Sequence, residues 1–240
     1  MYKAQSTEAT MTGSATSSSA ARPERTRVQI QIPVRMVERL SAYRRQLRRW
    51  VAEGRTRIFS HELGALVGGT PAQVRRDLMT IGYTGSPARG YEATGLIARI
   101  SELLDAPTRQ GIALVGVGYL GRAILNYFSR THPDLPILAA FDVAPEKIGR
   151  VLDGCRCYGM HELEHVLAEQ PVTVGILAVP VEAAQGVADR LIQAGVRGLL
   201  NFTPTRLRVP PEVYVEDVDI AVSLEKVAFF ARHGAGRTEE

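Results

Sequence analysis

The sequence predicts an α/β chain made of two unlike halves. A winged helix (a helix-turn-helix followed by a hairpin) comes first, then a Rossmann-like parallel sheet, and a carboxy-terminal helix closes the chain. Three observations carry this. Residues 28–91 hold eleven arginines against four acidic residues, whereas residues 111–240 hold sixteen acidic residues against twelve basic ones. Two short helical patterns meet at a glycine pair, Gly68-Gly69. A short apolar run, Ile112 to Val115, leads directly into three glycines at the spacing that accommodates a dinucleotide.

The chain has 240 residues, enough for two small domains, and its 45% hydrophobic content is that of an ordinary globular protein. No apolar run reaches the roughly 18 residues a membrane helix needs. Residues 1–27, rich in Ser, Thr and Ala, lack the apolar core of a secretory signal and read as a disordered tail. The two cysteines, Cys155 and Cys157, are too close in sequence for an unstrained disulfide and too few for a zinc cage, which fits a reducing cytoplasm.

In the first half, Val37, Leu40, Tyr43, Leu47 and Trp50 recur at spacings of three and four, predicting a helix stopped by Gly54. Ser60 is the expected N-cap of a short helix, HELGALVG. Thr70, with Pro71 behind it, is the expected cap of a second helix, whose inward residues are Ala72, Val74, Leu78 and Ile81. The second helix offers Gln73, Arg75 and Arg76 outward, groups that pair with adenine, guanine or phosphate. The stretch GYTGSPARGYEA predicts a β-hairpin wing with Arg89 near its tip, placed to enter a narrow minor groove. The candidate DNA contacts are thus Arg45, Ser60, Gln73, Arg75, Arg76 and Arg89. A protein-interaction module with a basic face is the alternative. Leu96, Ile97, Ile100, Leu103 and Leu104 predict a further helix, read as a connector between the halves.

In the second half the motif is Gly116-Val117-Gly118-Tyr119-Leu120-Gly121. The first glycine makes the tight turn, the second lets backbone approach the pyrophosphate, and the third lets helix and strand pack closely. The helix that opens there directs free N–H groups at the phosphates. A second strand ends at Asp142, 21 residues past Gly121, where an acid accepts from the ribose hydroxyls of NAD and repels the extra phosphate of NADP. Further strands are expected at 171–180, 198–202 and 215–220, with a helix from Glu182 to Ala194. Val179, Pro180 and Asn201 fall at strand ends, the expected nicotinamide neighbourhood. A glycine-rich turn without a ligand is the bland reading.

His161-Glu162-Leu163-Glu164-His165 spells HExxH, but no third metal ligand follows, so an exposed helix face is expected and no metal site. Cys155 and Cys157 are expected in or near a strand, and His132 in a loop.

The strings IPVRMVERLSAYRRQL, AQVRRDL, ALVGVGYLGRAIL, AAFDVAPEKIG, AVPVEAAQGVADRLIQAGVRGLLNF and VDIAVSLEKVAFF together resemble the Rex family of redox-sensing transcriptional repressors in order and spacing. The resemblance covers about residues 30–231. It implies a homodimer that binds double-stranded operator DNA and is released by NADH, with NADH and NAD+ as ligands and no enzymatic activity. It implies a carboxy-terminal helix, Val222 to Ala231, swapped onto the partner subunit, and matches Arg45, Tyr127 and Asp189 to positions that exchange contacts between redox states. The expected organisation is a tail at 1–27, a DNA-binding winged helix at 28–92, a connecting helix and linker at 93–110, an NAD(H)-binding domain at 111–220, and a dimerisation helix with its tail at 221–240. This chain departs from the family at Pro87-Ala88 in the wing, at Ala144 two places after Asp142, and at Thr203 near Asn201. An NAD-dependent oxidoreductase with an accessory basic domain is the rival function, and a CoA- or nucleotide-binding regulatory module a third.

Overall fold

The computed structural model describes residues 32–86, 88–105, 110–132 and 135–234. The expected tail at 1–27, Pro87 and part of the 93–110 linker lie outside the described residues, as do the last six positions. Helix α1 (Val34–Ala52) buries Met36, Leu40, Tyr43 and Leu47. Val37 is exposed, so the buried stripe begins at Met36 instead of Val37. The helix gives way at Gly54, whose φ of +85° suits a residue without a Cβ.

Strand β1 (Arg57–Ile58) leads into α2 (Ser60–Leu66), and α3 (Pro71–Thr80) follows across the glycine pair. Phe59, not Ser60, is the N-cap of α2, and its N–H donates to the Glu62 carboxylate. Thr70 caps α3 as expected, accepting from the Gln73 N–H at 3.2 Å. A side chain at Gly64 would sit 3.0 Å from the Gly69 carbonyl, which is why α2 and α3 can approach so closely. On α3, Val74, Asp77 and Leu78 are buried, whereas Ala72, expected inward, is exposed.

The expected hairpin is reduced to a tight turn closed by one bridge, Ser86 to Gly90. Strand β2 (Tyr91–Glu92) instead pairs antiparallel with β1, matching Ile58 with Tyr91 and Arg57 with Glu92. Two-residue strands carry too little periodicity to be read from sequence, and this pairing spans more than thirty residues. Helix α4 (Ala93–Leu104) is capped by the Glu92 carboxylate. It was expected as a connector, yet Ala93, Leu96 and Ile100 are fully buried with Leu40, Tyr43 and Leu47 in the first core. It is therefore the wall that closes that core.

The second half runs β3 (Gly111–Val115), α5 (Tyr119–Thr131), β4 (Ile137–Asp142), β5 (Val151–Leu152) and β6 (Cys155–Gly159). It continues through a 3₁₀ turn (Met160–Glu162), α6 (Leu163–Ala168), β7 (Val172–Leu177), α7 (Val181–Gln193), β8 (Gly198–Asn201), β9 (Tyr214–Asp217) and α8 (Ile220–His233). The sheet order is β5-β6-β4-β3-β7-β8-β9, parallel except for the β5–β6 pair. From β3 the chain builds outward first through β4 and then through β7, so the strand order reverses beside β3. Ligands in open sheets bind at such a reversal. Side chains alternate across β3: Ala113 and Val115 pack against α6 and α7 on one face, Ile112 and Leu114 against α5 on the other.

Expected strand 215–220 is displaced, because β9 ends at Asp217 and Asp219 caps α8 by accepting from the Val222 N–H at 2.9 Å. Helix α8 is also longer than Val222 to Ala231, and all its residues are exposed, including Leu224, Val227, Phe229 and Phe230.

Candidate functional site

The glycine turn between β3 and α5 is shaped for a ligand. Gly116 has φ +91°, and a Cβ there would lie 2.3 Å from the Ala178 carbonyl, so the loop after β7 presses directly on the turn. A Cβ on Gly121 would lie 2.0 Å from the Gly116 carbonyl, which only glycine permits. Gly118 differs: a Cβ there meets nothing within 4 Å. Its bare backbone faces open space at the mouth of α5, the shape a pyrophosphate requires. Tyr119 is fully exposed and Leu120 partly so, flanking that mouth, while Val117 is buried.

Asp142 ends β4 beside this turn. Its carboxylate accepts from the Val117 N–H at 2.8 Å, the Ala144 N–H at 2.9 Å and the Lys147 ammonium at 2.9 Å. Burial alone would raise its pKa, but the hydrogen bonds from Ala144, Lys147 and Val117 outweigh that and hold it below the ordinary value. Three of roughly four lone-pair sites are used, and the lysine contact is a flexible one. The acid thus stays ionised and can accept from ribose hydroxyls. Lys147, which sequence reasoning missed, is signalled only by its place five residues after the acid. Ala144 acts through its backbone N–H, so the missing acidic side chain at that position leaves the Asp142 geometry intact.

Val179 and Pro180 follow β7 at the sheet's reversal point, Val179 with its Cγ1 3.1 Å from the Cβ position of Gly116. Asn201 is fully buried, and its side chain is committed. Its Nδ2 donates to the Thr205 carbonyl and to Asp217, both at 2.8 Å, and its Oδ1 accepts from the Thr203 N–H at 3.0 Å and hydroxyl at 2.6 Å. These bonds make the Asn201 side chain a residue that shapes the loop after β8. Thr203, a departure from the family pattern, adds one of those bonds.

The other candidate surface is α3. Asp77 is 2% exposed. It takes a two-pronged bond from Arg39, with Nε and Nη2 each at 2.7 Å, and further bonds from Tyr43 at 3.2 Å and Gln73 at 2.8 Å. This cluster locks α3 onto α1. Burial opposes ionisation of Asp77, yet the Arg39 and Gln73 bonds win and its pKa is lowered. Burial, then the Asp77 charge, pushes the Tyr43 phenol up. One N–H of the Gln73 amide is therefore engaged by Asp77, which leaves its second N–H and its oxygen for other partners. Arg75 and Arg76 are exposed, with Arg75 Nη1 donating to Ser60 Oγ at 3.2 Å. Arg45 is exposed on α1, and Arg89 is exposed at the turn of the wing.

Tyr127 lies exposed on α5, where its ring packs against His132, and Asp189 lies exposed on α7, accepting from Gln185 at 2.8 Å. These helices cover opposite faces of the sheet, so the sheet separates the two residues within one subunit.

HExxH spans the 3₁₀ turn and the start of α6, so its histidines do not share one regular helical face. Glu162 accepts from the Gly159 N–H at 2.8 Å. Cys155 and Cys157 lie in β6 and are buried; burial pushes the Cys155 thiol up to about 12 and raises Cys157 as well.

Fold and site define a class: an arginine-faced winged helix fused to a dinucleotide-type parallel-sheet domain. Residues 31–78 match the family described as "Putative DNA-binding protein N-terminus", and residues 108–205 match "CoA binding domain". The redox-sensing transcriptional repressor Rex of Anoxybacillus flavithermus is 40% identical over 205 residues, spanning 85% of this chain and 96% of the relative. Its counterpart in Rhodopirellula baltica is 42% identical over 193 residues, spanning 80% and 81%. The chain belongs to the Rex family. Among solved structures it resembles RSP, a Rex-family repressor, in complex with NAD+ and operator DNA, at 30% identity and a TM-score of 0.77 over 84% of this chain and 93% of that one. The NADH complex of RSP matches with a TM-score of 0.74 over 85% and 95%. These relatives are named as repressors, not dehydrogenases.

Proposed function

We propose that this chain is an NADH-responsive transcriptional repressor that holds operator DNA as a homodimer and lets go when NADH occupies the glycine turn. The observation that carries this is the joining, in one chain, of a rigidly seated α3 bearing Arg75 and Arg76 and a turn whose Gly118 backbone and Asp142 carboxylate suit NAD(H). The relative RSP forms complexes with the same two ligands, operator DNA and NAD(H).

Arg75, Arg76 and Arg45 supply fixed cations for DNA phosphates and bases, with Arg89 directed from the wing. The opened N-terminus of α5 and Gly118 would hold the pyrophosphate, and Asp142 the ribose. Its negative charge disfavours a phosphorylated ribose, which argues for NAD(H) over CoA or NADP. Bound NADH supplies no chemistry here, only binding free energy that differs between two arrangements of the dimer.

The apolar surface of α8 is covered by a second subunit. Because the sheet stands between Tyr127 and Asp189, their contact belongs to the dimer and not to one subunit. Exchange of Asp189 between Tyr127 and Arg45 then links cofactor state to the DNA-binding face. A protein of this kind works in the cytoplasm. No helix among the described residues is long and apolar enough to cross a membrane.

The test is a gel shift on the DNA upstream of the protein's own gene, titrated with each nucleotide. The expected result is a complex that NADH dissolves and NAD+ spares. A complex indifferent to both overturns the switch.

A further inference from the structure

The outward face of α3 has a chemical character that its sequence does not announce. A shallow open depression there is lined by Ala72, Arg75, Arg76, Met79 and Thr80. Met79 is 67% exposed, the most exposed large apolar side chain among the described residues of the amino-terminal half. Thr80 turns its hydroxyl back onto the Arg76 carbonyl at 2.9 Å, which leaves its methyl as the group not engaged by the helix. Gln73 is tied to Asp77 at 2.8 Å. The face therefore offers two guanidinium groups and a set of methyls, with the Gln73 amide held toward Asp77 by one of its N–H groups.

We propose that Met79 is a specificity-determining residue that reads the C5 methyl of thymine in the major groove. This rests on the DNA-binding function argued above and says which base it selects. In that groove thymine alone carries a methyl, so an apolar side chain there discriminates by burying it. Met suits the task because its unbranched thioether adapts to a neighbouring surface without a strict rotamer requirement. Position adds to chemistry: Met79 stands four residues after Arg75 and three after Arg76, on one stripe of the helix. The arginines anchor to guanine or phosphate, and Arg75 is already steadied by Ser60 at 3.2 Å. The thioether then falls about one helical turn, roughly 5.4 Å, further along the groove.

The experiment starts from a duplex selected from a random-sequence pool by the full-length protein in the presence of NAD+. Each thymine of one half-site is replaced in turn by deoxyuridine, which removes only the methyl, with its symmetry mate replaced too. For wild type, one such replacement should weaken binding about four-fold per half-site, the effect of one buried methyl. Met79→Ala should bind the parent duplex more weakly and show no response to that replacement, whereas Met79→Leu should keep the response. Met79 is exposed, so thermal unfolding of the three proteins should coincide. Wild type that ignores every deoxyuridine, or Met79→Ala that responds as wild type does, overturns the role of Met79 while leaving DNA binding intact. A pool that yields no bound duplex overturns the DNA-binding reading and this one together.

Discussion

At the residue scale, one buried acid holds two helices together. Asp77 is buried among Arg39, Tyr43 and Gln73, and its ionised form is what joins α1 to α3. Asp77→Asn leaves the Arg39 charge uncompensated and should cost the amino-terminal domain about 3 kcal/mol. Urea unfolding followed by Trp50, the single tryptophan, reports that domain selectively. The pH dependence has a defined sign. The folded pKa of Asp77 lies below its unfolded value of about 4, so its contribution is complete above that pH and is lost as pH falls through the folded value. The acid limb of stability should flatten in Asp77→Asn. The glycines of the turn should also separate. Gly118→Ala adds a methyl to empty space, so the thermal midpoint should hold while NADH affinity falls at least about ten-fold, as for a lost close backbone approach. Gly121→Ala drives a methyl into the Gly116 carbonyl and should destabilise the whole domain. Calorimetry with and without NADH distinguishes the two.

At the scale of elements, α3 and α8 are the surfaces proposed for DNA and for a second subunit. Truncating Arg76 should weaken binding evenly across sequences and reduce the salt slope of log affinity by about one if it contacts a phosphate. Binding titrations over a salt series check this, and an unchanged slope removes Arg76 from the contact set. Helix α8 exposes Leu224, Val227, Phe229 and Phe230, an apolar display that isolated surface helices do not carry. Phe229→Glu together with Phe230→Glu should convert dimer to monomer in analytical ultracentrifugation. A persisting dimer would place the subunit contact elsewhere. The wing is an element that tertiary pairing defined. Its turn is closed by the Ser86–Gly90 bridge, and its strand is stabilised by β1, far away in sequence.

For the whole molecule the proposal is a coupling between two sites, and coupling is reciprocal. If NADH loosens operator DNA by ten- to a hundred-fold, the coupling is about 1.4–3 kcal/mol, and DNA must loosen NADH by the same factor. Equal NADH affinities with and without operator, measured by titration calorimetry, would sink the switch. Asp189→Ala should preserve both single-ligand affinities to within a few-fold and shrink the coupling. The surface position of Asp189 makes this substitution benign to folding.

What the sequence determined by itself are the features that local chemistry specifies. The Gly116-Val117-Gly118-Tyr119-Leu120-Gly121 string between an apolar strand and a helix defined the turn, because a Cβ at Gly116 or Gly121 would clash with neighbouring carbonyls. Arginine clustering, the Thr70-Pro71 cap and the glycine pair defined the helix-turn-helix. Tertiary structure alone decided the rest, where the deciding partner lies far along the chain. It gave β1 and β2 to each other, drew α4 into the first core, and tied the Asn201 amide to Asp217. It also placed Tyr127 and Asp189 on opposite faces of a sheet. The reason is common to these: pairing, packing and placement between residues distant in the chain leave no periodicity at either end.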